Sequence, residues 1–230
     1  MCEYVPDDAP RLKAADLARL AQQRLQELQA EGQTLHPVIG KGKKLAAHFW
    51  GSAWMKHLAL CESGGLNLAP GRTLLRHGCV LDVRVGQGSI DALVSADRLY
   101  EVHLRLKPLE EERWEELRQR CQGHIESAVS LLEGKVDAAV LEQLCDPNTG
   151  LLPEPADWQM NCNCADWSEP CPHAAAAVYA AGVLIDADPA LLFTLRGADP
   201  QQLMAAAPAP VADFDAAALS ATFGIDLDTE

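Results

Sequence analysis

Three cysteines and a histidine fall within twelve residues, Cys162-Asn-Cys164-Ala-Asp-Trp-Ser-Glu-Pro-Cys171-Pro-His173, a CxC pair and a CxH pair separated by six residues. These soft and borderline donors match the set that zinc takes in tetrahedral structural sites. Spacing of two within each pair lets an extended or knuckle-like backbone turn both side chains to one ion, and the intervening loop closes the chelate. Pro172 suits the first turn of a following helix. That helix would bring Cys171 and His173 to its N-terminus, where the dipole steadies the net negative charge of a Cys3His zinc site. The window therefore predicts one structural Zn2+ held by Cys162, Cys164, Cys171 and His173.

A catalytic zinc keeps an open coordination position and a nearby general base. Here four protein donors fill the set, and Asp166 and Glu169 read as loop charge. The deaminase pattern HxE…PCxxC is absent, because Pro170-Cys171 continues as Pro172-His173. The chain also contains no GxSxG, HExxH, Rossmann glycine fingerprint or Walker lysine. A redox pair would call for CxxC beside a βαβ unit. The sequence thus reads as that of a non-enzyme. The other cysteines, Cys2, Cys61, Cys79, Cys121 and Cys145, are isolated and expected to be small, reduced hydrophobes. With no leader pattern at the start and no run of about 18 apolar residues, a soluble cytoplasmic protein is expected, with no membrane partner.

The net charge of −14 argues against the whole chain acting as a nucleic-acid clamp, since phosphate binding draws on clustered cations. The charge is uneven. Residues 36–108 hold ten Lys/Arg against five acids, whereas residues 158–230 hold one arginine, Arg196, against ten acids. Any nucleic-acid face would lie in the basic segment, with Lys41, Lys43, Lys44, Arg72 and Arg76 as candidate phosphate contacts. The loop around Lys41 lacks the GxxxxGK[ST] spacing of a nucleotide site and reads as exposed charge.

Residues 10–31 place Leu17, Ala21, Leu25 and Leu28 at helical spacing, an amphipathic helix that packs on its own domain or offers its stripe to a partner. Trp50, Trp54, His57 and Leu58 share one side of a short helix. Residues 79–107 alternate apolar and polar across three runs punctuated by Gly86-Gln87-Gly88 and Ala96-Asp97-Arg98, which predicts a three-stranded antiparallel meander with one polar face. Helical patterns follow over about 109–145, with Trp114, Leu117 and Cys121 facing the core. A Pro-, Gly- and Asp-rich loop at 146–157 leads to the cysteine window, and one or two Ala/Leu-rich helices come after it.

The expected fold class is α+β, a three-stranded meander with helices and a C-terminal zinc knuckle followed by helices. It divides into an N-terminal helix (1–35), an α+β domain (36–157), a zinc finger with its helices (158–205) and an acidic tail (206–230) that either folds back or docks on a partner.

The stretch CNCADWSEPCPH resembles the SWIM-type zinc finger, whose pattern is CxCx(n)CxH, and Trp167 and Pro170 are similar to the aromatic and proline of bacterial members. The resemblance extends through GSAWMKHL, GRTLLRHGCVLDVRVGQGSIDALV, YEVHLRL and DADPALLFTLRG, over roughly residues 45–205. It implies zinc binding by Cys162, Cys164, Cys171 and His173, a role in DNA-associated or protein–protein assemblies, and a Swi/Snf-type helicase as partner. An adaptor is the leading expectation, and a nucleic-acid-binding module using the basic 36–108 segment is the alternative. The acidity after residue 157 argues against DNA contact through the finger itself.

Overall fold

The computed structural model describes residues 13–204. Its elements run α1 (Ala14–Ala30), α2 (Phe49–Ser63), α3 (Ala69–Arg76), β1 (Val80–Gly86), β2 (Ser89–Ser95), β3 (Leu99–Leu106), α4 (Glu111–Cys121), α5 (Ala128–Leu132), α6 (Ala138–Leu144), β4 (Trp158–Cys162), α7 (Pro172–Ala187) and α8 (Ala190–Arg196). The α+β class expected from the sequence holds. Residues 205–230, which include the expected acidic tail (206–230), lie outside the described residues, as do the first three residues of the predicted 10–31 helix.

The sheet corrects the expectation of three strands. It has four antiparallel strands in the order β1-β2-β3-β4. The added strand pairs with β3 from Leu106↔Trp158 to Val102↔Cys162. Within Trp158–Cys162 the burial alternates only between partial and exposed, as expected for a strand at the edge of a sheet, so its apolar residues Trp158, Met160 and Cys162 are only partly buried and its five residues give a shorter alternating run than the other three strands. Its pairing comes from β3, more than fifty residues earlier in the chain.

α7 is the centre of the molecule. It packs against β1, β2 and β3 on one side and against α2 and α3 on the other, and every residue from His173 to Gly182 is buried. Its run of alanines makes this close layering possible, because a methyl side chain keeps neighbouring backbones near without a cavity. α3 approaches so closely that a Cβ placed on Gly71 would lie 2.4 Å from the Ala175 carbonyl carbon and the Ala176 nitrogen. α2 turns the predicted stripe of Trp50, Trp54, His57 and Leu58 inward, with Gly51 and Cys61 beside it. The two indoles donate to backbone carbonyls, Trp50 to Leu131 and Trp54 to Val178, each at 3.1 Å. Asp186, in the last turn of α7, accepts from the backbone N–H groups of Ala47 (2.9 Å) and His48 (2.7 Å) and so caps the start of α2.

α1 lies against β1 and β2, with Ala21 buried and Leu17, Leu25 and Leu28 packed on the core. Of the two fates open to that helix, packing on its own domain is the one observed. Arg24 fixes it, donating to Ser95 Oγ at 3.0 Å and to the Ala96 carbonyl at 2.9 Å. Trp114, Leu117 and Cys121 of α4 are buried as expected. Cys61, Cys79 and Cys121 are also buried and free, and desolvation pushes the Cys79 thiol up to about 11.

Candidate metal centre

β4 ends on Cys162 and α7 begins at Pro172, so the loop between them carries one cysteine pair at the strand end and the CxH pair at the helix start. Cys171 is the N-cap of α7, and its sulfur accepts from the Ala174 N–H at 3.4 Å. Pro172 occupies the first helical turn as its fixed φ favours. One ligand atom each from Cys162, Cys164, Cys171 and His173 falls within 4.8 Å of all the others. Cys162 Sγ and His173 Nδ1 are 3.9 Å apart. A tetrahedral ion with bonds of about 2.0–2.3 Å would set its ligand atoms roughly 3.3–3.8 Å from one another, so a small contraction of this cluster suffices to bind.

The electrostatics favour thiolate at the helix end. Cys171 is held well below the ordinary thiol range, chiefly by the hydrogen bond from Cys162, with His173 and the Ala174 N–H adding to it against the cost of burial. Cys162 is correspondingly raised, first by that same bond to Cys171 and then by burial. Desolvation raises Cys164.

A layer behind the ligands supports them. The Tyr100 ring stacks on the His173 imidazole with centroids 3.7 Å apart and planes 19° from parallel. Tyr100 donates its hydroxyl to Asp97 Oδ1 at 2.7 Å. The Arg98 guanidinium carbon lies over the Tyr100 ring, 5.0 Å from its centroid, and Arg98 donates to the Asn163 carbonyl at 3.0 Å. Asn163 in turn accepts from the Glu101 N–H through its side chain at 3.1 Å. Sequence reading placed Tyr100 on the apolar face of a strand and Arg98 in a turn. Their alignment behind His173 depends on the packing of α7 against β3, a contact between segments far apart in the chain.

The basic candidates do not gather into one surface of free cations. Arg72 binds Glu62 Oε2 and the Tyr179 hydroxyl, both at 2.6 Å. Arg76 donates to the carbonyls of Gly42 (3.2 Å) and Lys43 (3.0 Å), bracing the loop. Lys41, Lys43 and Lys44 are exposed. On the polar face of the sheet, His103 Nδ1 and Arg105 converge on Asp91 Oδ1 at 2.8 and 3.3 Å. Burial works against ionised Asp91, but these two partners outweigh it and keep its pKa below the ordinary value.

Fold and site together define an α+β protein with a Cys3His cluster, compatible with a zinc finger, that could hold a metal ion. Along 163 residues the chain is 28% identical to the uncharacterized protein Rv2102 of Mycobacterium tuberculosis, an alignment covering 69% of this chain and 59% of that relative. The chain thus spans about three-fifths of the length of the curated relative it matches. No family model matches the chain, and no solved structure matches it. Among the described residues no helix is long and apolar enough to cross a membrane.

Proposed function

We propose that the chain is a SWIM-type zinc protein that acts without catalysis, as an adaptor whose Zn2+ fastens the 158–185 region to the domain while exposed surfaces recruit a protein partner. The observation that carries this reading is the convergence of four protein donors on one point at the junction of β4 and α7. A complete donor set leaves no position for a metal-bound water, which suits a structural ion. Zinc supplies cross-linking energy there, and Cys162, Cys164, Cys171 and His173 would hold it, with Tyr100 orienting the imidazole. The resemblance of the finger to bacterial SWIM proteins makes a Swi/Snf-type helicase the first partner to seek, in the cytoplasm, with DNA reached through that partner.

The test is an affinity capture of the tagged protein from its own cell lysate, with and without nuclease, read by mass spectrometry. A helicase or other protein that survives nuclease supports the adaptor. Loss of every partner on nuclease treatment turns the reading to nucleic acid. For that second reading the engagement of Arg72 and Arg76 in internal contacts leaves Lys41, Lys43 and Lys44 as the phosphate-facing set. Their combined substitution would then flatten the salt dependence of binding.

A further inference from the structure

The three sulfurs of the candidate metal centre border one surface cleft, whose rim is formed by Asp166, Ser168 and Glu169, all exposed. A small dissolved oxidant therefore reaches them. The other described cysteines are placed differently. Cys61, Cys79 and Cys121 are buried, and desolvation raises the thiols of Cys61, Cys121 and Cys145, that of Cys145 to about 12. A protonated thiol is a poor nucleophile, so oxidation of the folded chain is directed to the cluster.

Within the cluster the fold selects one pair of cysteines. The ligand atoms lie within 4.8 Å of one another, and a disulfide draws two sulfurs to about 2.05 Å. Between Cys162 and Cys164 the chain is pinned at Asn163. Its N–H donates to the Glu101 carbonyl at 3.3 Å, its carbonyl accepts from Arg98 at 3.0 Å and its side chain accepts from the Glu101 N–H at 3.1 Å. A bridge between these two cysteines closes a small ring through Asn163 and forces those bonds to break. Cys164 also turns to its own loop, its thiol donating to the Asp166 carbonyl at 3.8 Å. Cys171, by contrast, interacts first with Cys162 and least with Cys164. Cys162 ends β4 and Cys171 caps α7, so a bond between them joins the same two elements as the ion would.

We propose that Cys162 and Cys171 are a redox-modification site: a hydroperoxide converts the pair to a disulfide, the ion leaves, and β4 stays fastened to α7. One thiolate attacks a peroxide oxygen, the O–O bond breaks, and a sulfenic acid and hydroxide form. The second sulfur then attacks the sulfenic sulfur, the S–O bond breaks, and another hydroxide leaves as the S–S bond closes. Two electrons pass from the pair of sulfurs to the peroxide, and the ion departs with its oxidation state unchanged. Cys164 and His173 are freed, but the strand keeps its anchor. The assignment rests on the zinc reading and adds the regulation of that same site.

The test is treatment of the zinc-loaded full chain with hydrogen peroxide, with Cys2→Ser throughout because Cys2 lies outside the described residues. A chromophoric chelator reads zinc release, and peptide mapping by mass spectrometry reads the bridge. One zinc per chain should be released, with a Cys162–Cys171 disulfide as the main product, and dithiothreitol with added Zn2+ should reverse both. The oxidised, metal-free chain should melt about 5–10 °C above the reduced, metal-free chain and keep hydrogen-exchange protection over 158–162. Zinc retained in excess peroxide, a bridge that includes Cys164, sulfinic acid in place of a disulfide, or an oxidised chain no better protected than the reduced metal-free one overturns the assignment. Zinc per chain before oxidant decides the zinc reading separately, and the reduced metal-free chain, oxidised in parallel, reads the cysteine pairing without it.

Discussion

The Tyr100 ring lies 3.7 Å from the imidazole of His173 and nearly parallel to it, so a side chain of β3 sets the plane of a ligand that α7 contributes. The contact joins the sheet to the metal cluster without itself offering a donor. Removing a group that orients a metal ligand typically costs about 10–100-fold in metal affinity. Tyr100→Leu should therefore lower zinc affinity about tenfold in competition with a chromophoric chelator. Tyr100→Phe keeps the ring and loses only the bond to Asp97, and its affinity should stay close to that of the native chain.

Removing a ligand should do more. Cys164→Ser or His173→Ala is expected to lose the ion and unfold the chain locally over 158–185, because binding energy at such a site is folding energy. Metal per chain and hydrogen exchange measure the two effects separately. A variant still holding one zinc per chain would count against the ligand assignment.

Gly71→Ala tests the layer between α3 and α7. The added methyl would come within 2.4 Å of the backbone at Ala175 and Ala176, and backbone in the centre of a buried helix has no rotamer by which to give way. Destabilisation of about 1–3 kcal/mol is expected in denaturant unfolding. The same exchange at Gly42, where a Cβ meets nothing but φ is +73°, should cost about 1 kcal/mol from backbone strain alone.

His57 predicts a pH effect. Burial is the main cause of its lowered pKa, partly offset by the bond to the Pro153 carbonyl and by Glu154. Its Nε2 lies 2.8 Å from that carbonyl and its buried Nδ1 has no partner among the described residues, so the fold favours the neutral ring. The unfolded chain then binds the extra proton, and stability present above about pH 6.5 should fall as the pH drops below that value. His57→Gln, whose Nε2 can still donate to Pro153, should show a shallower loss of melting temperature between about pH 7 and pH 5.5.

The candidate metal centre was legible because its four donors sit in one short window, where the paired spacing favours convergence. Strands β1 to β3 were legible for a like reason: Val83, Ile90, Val102 and Leu104 alternate with polar neighbours inside each run. β4 was not, since Trp158–Cys162 is only five residues long, partly buried on one face and exposed on the other, and owes its strand geometry to β3. Asp186 shows the same limit. A carboxylate in the last turn of α7 opposes that helix's dipole, and its value appears only when α2 brings two unsatisfied N–H groups to it. The alanine run announced a helix, but not that the helix would be the axis on which sheet and helices both pack.

β4 is a short strand paired along its whole length with β3, and it ends on a candidate ligand, Cys162. If the ion clamps that end, it also guards the strand behind it. A chain starved of metal would let β4 peel away and bare the edge of β3, where Val102, Leu104 and Leu106 alternate along an open row of N–H and C=O groups. Such an edge is a template for another copy of itself. Metal supply would then decide solubility as much as shape, and chelation should be followed by aggregation rather than by a quiet loss of one loop.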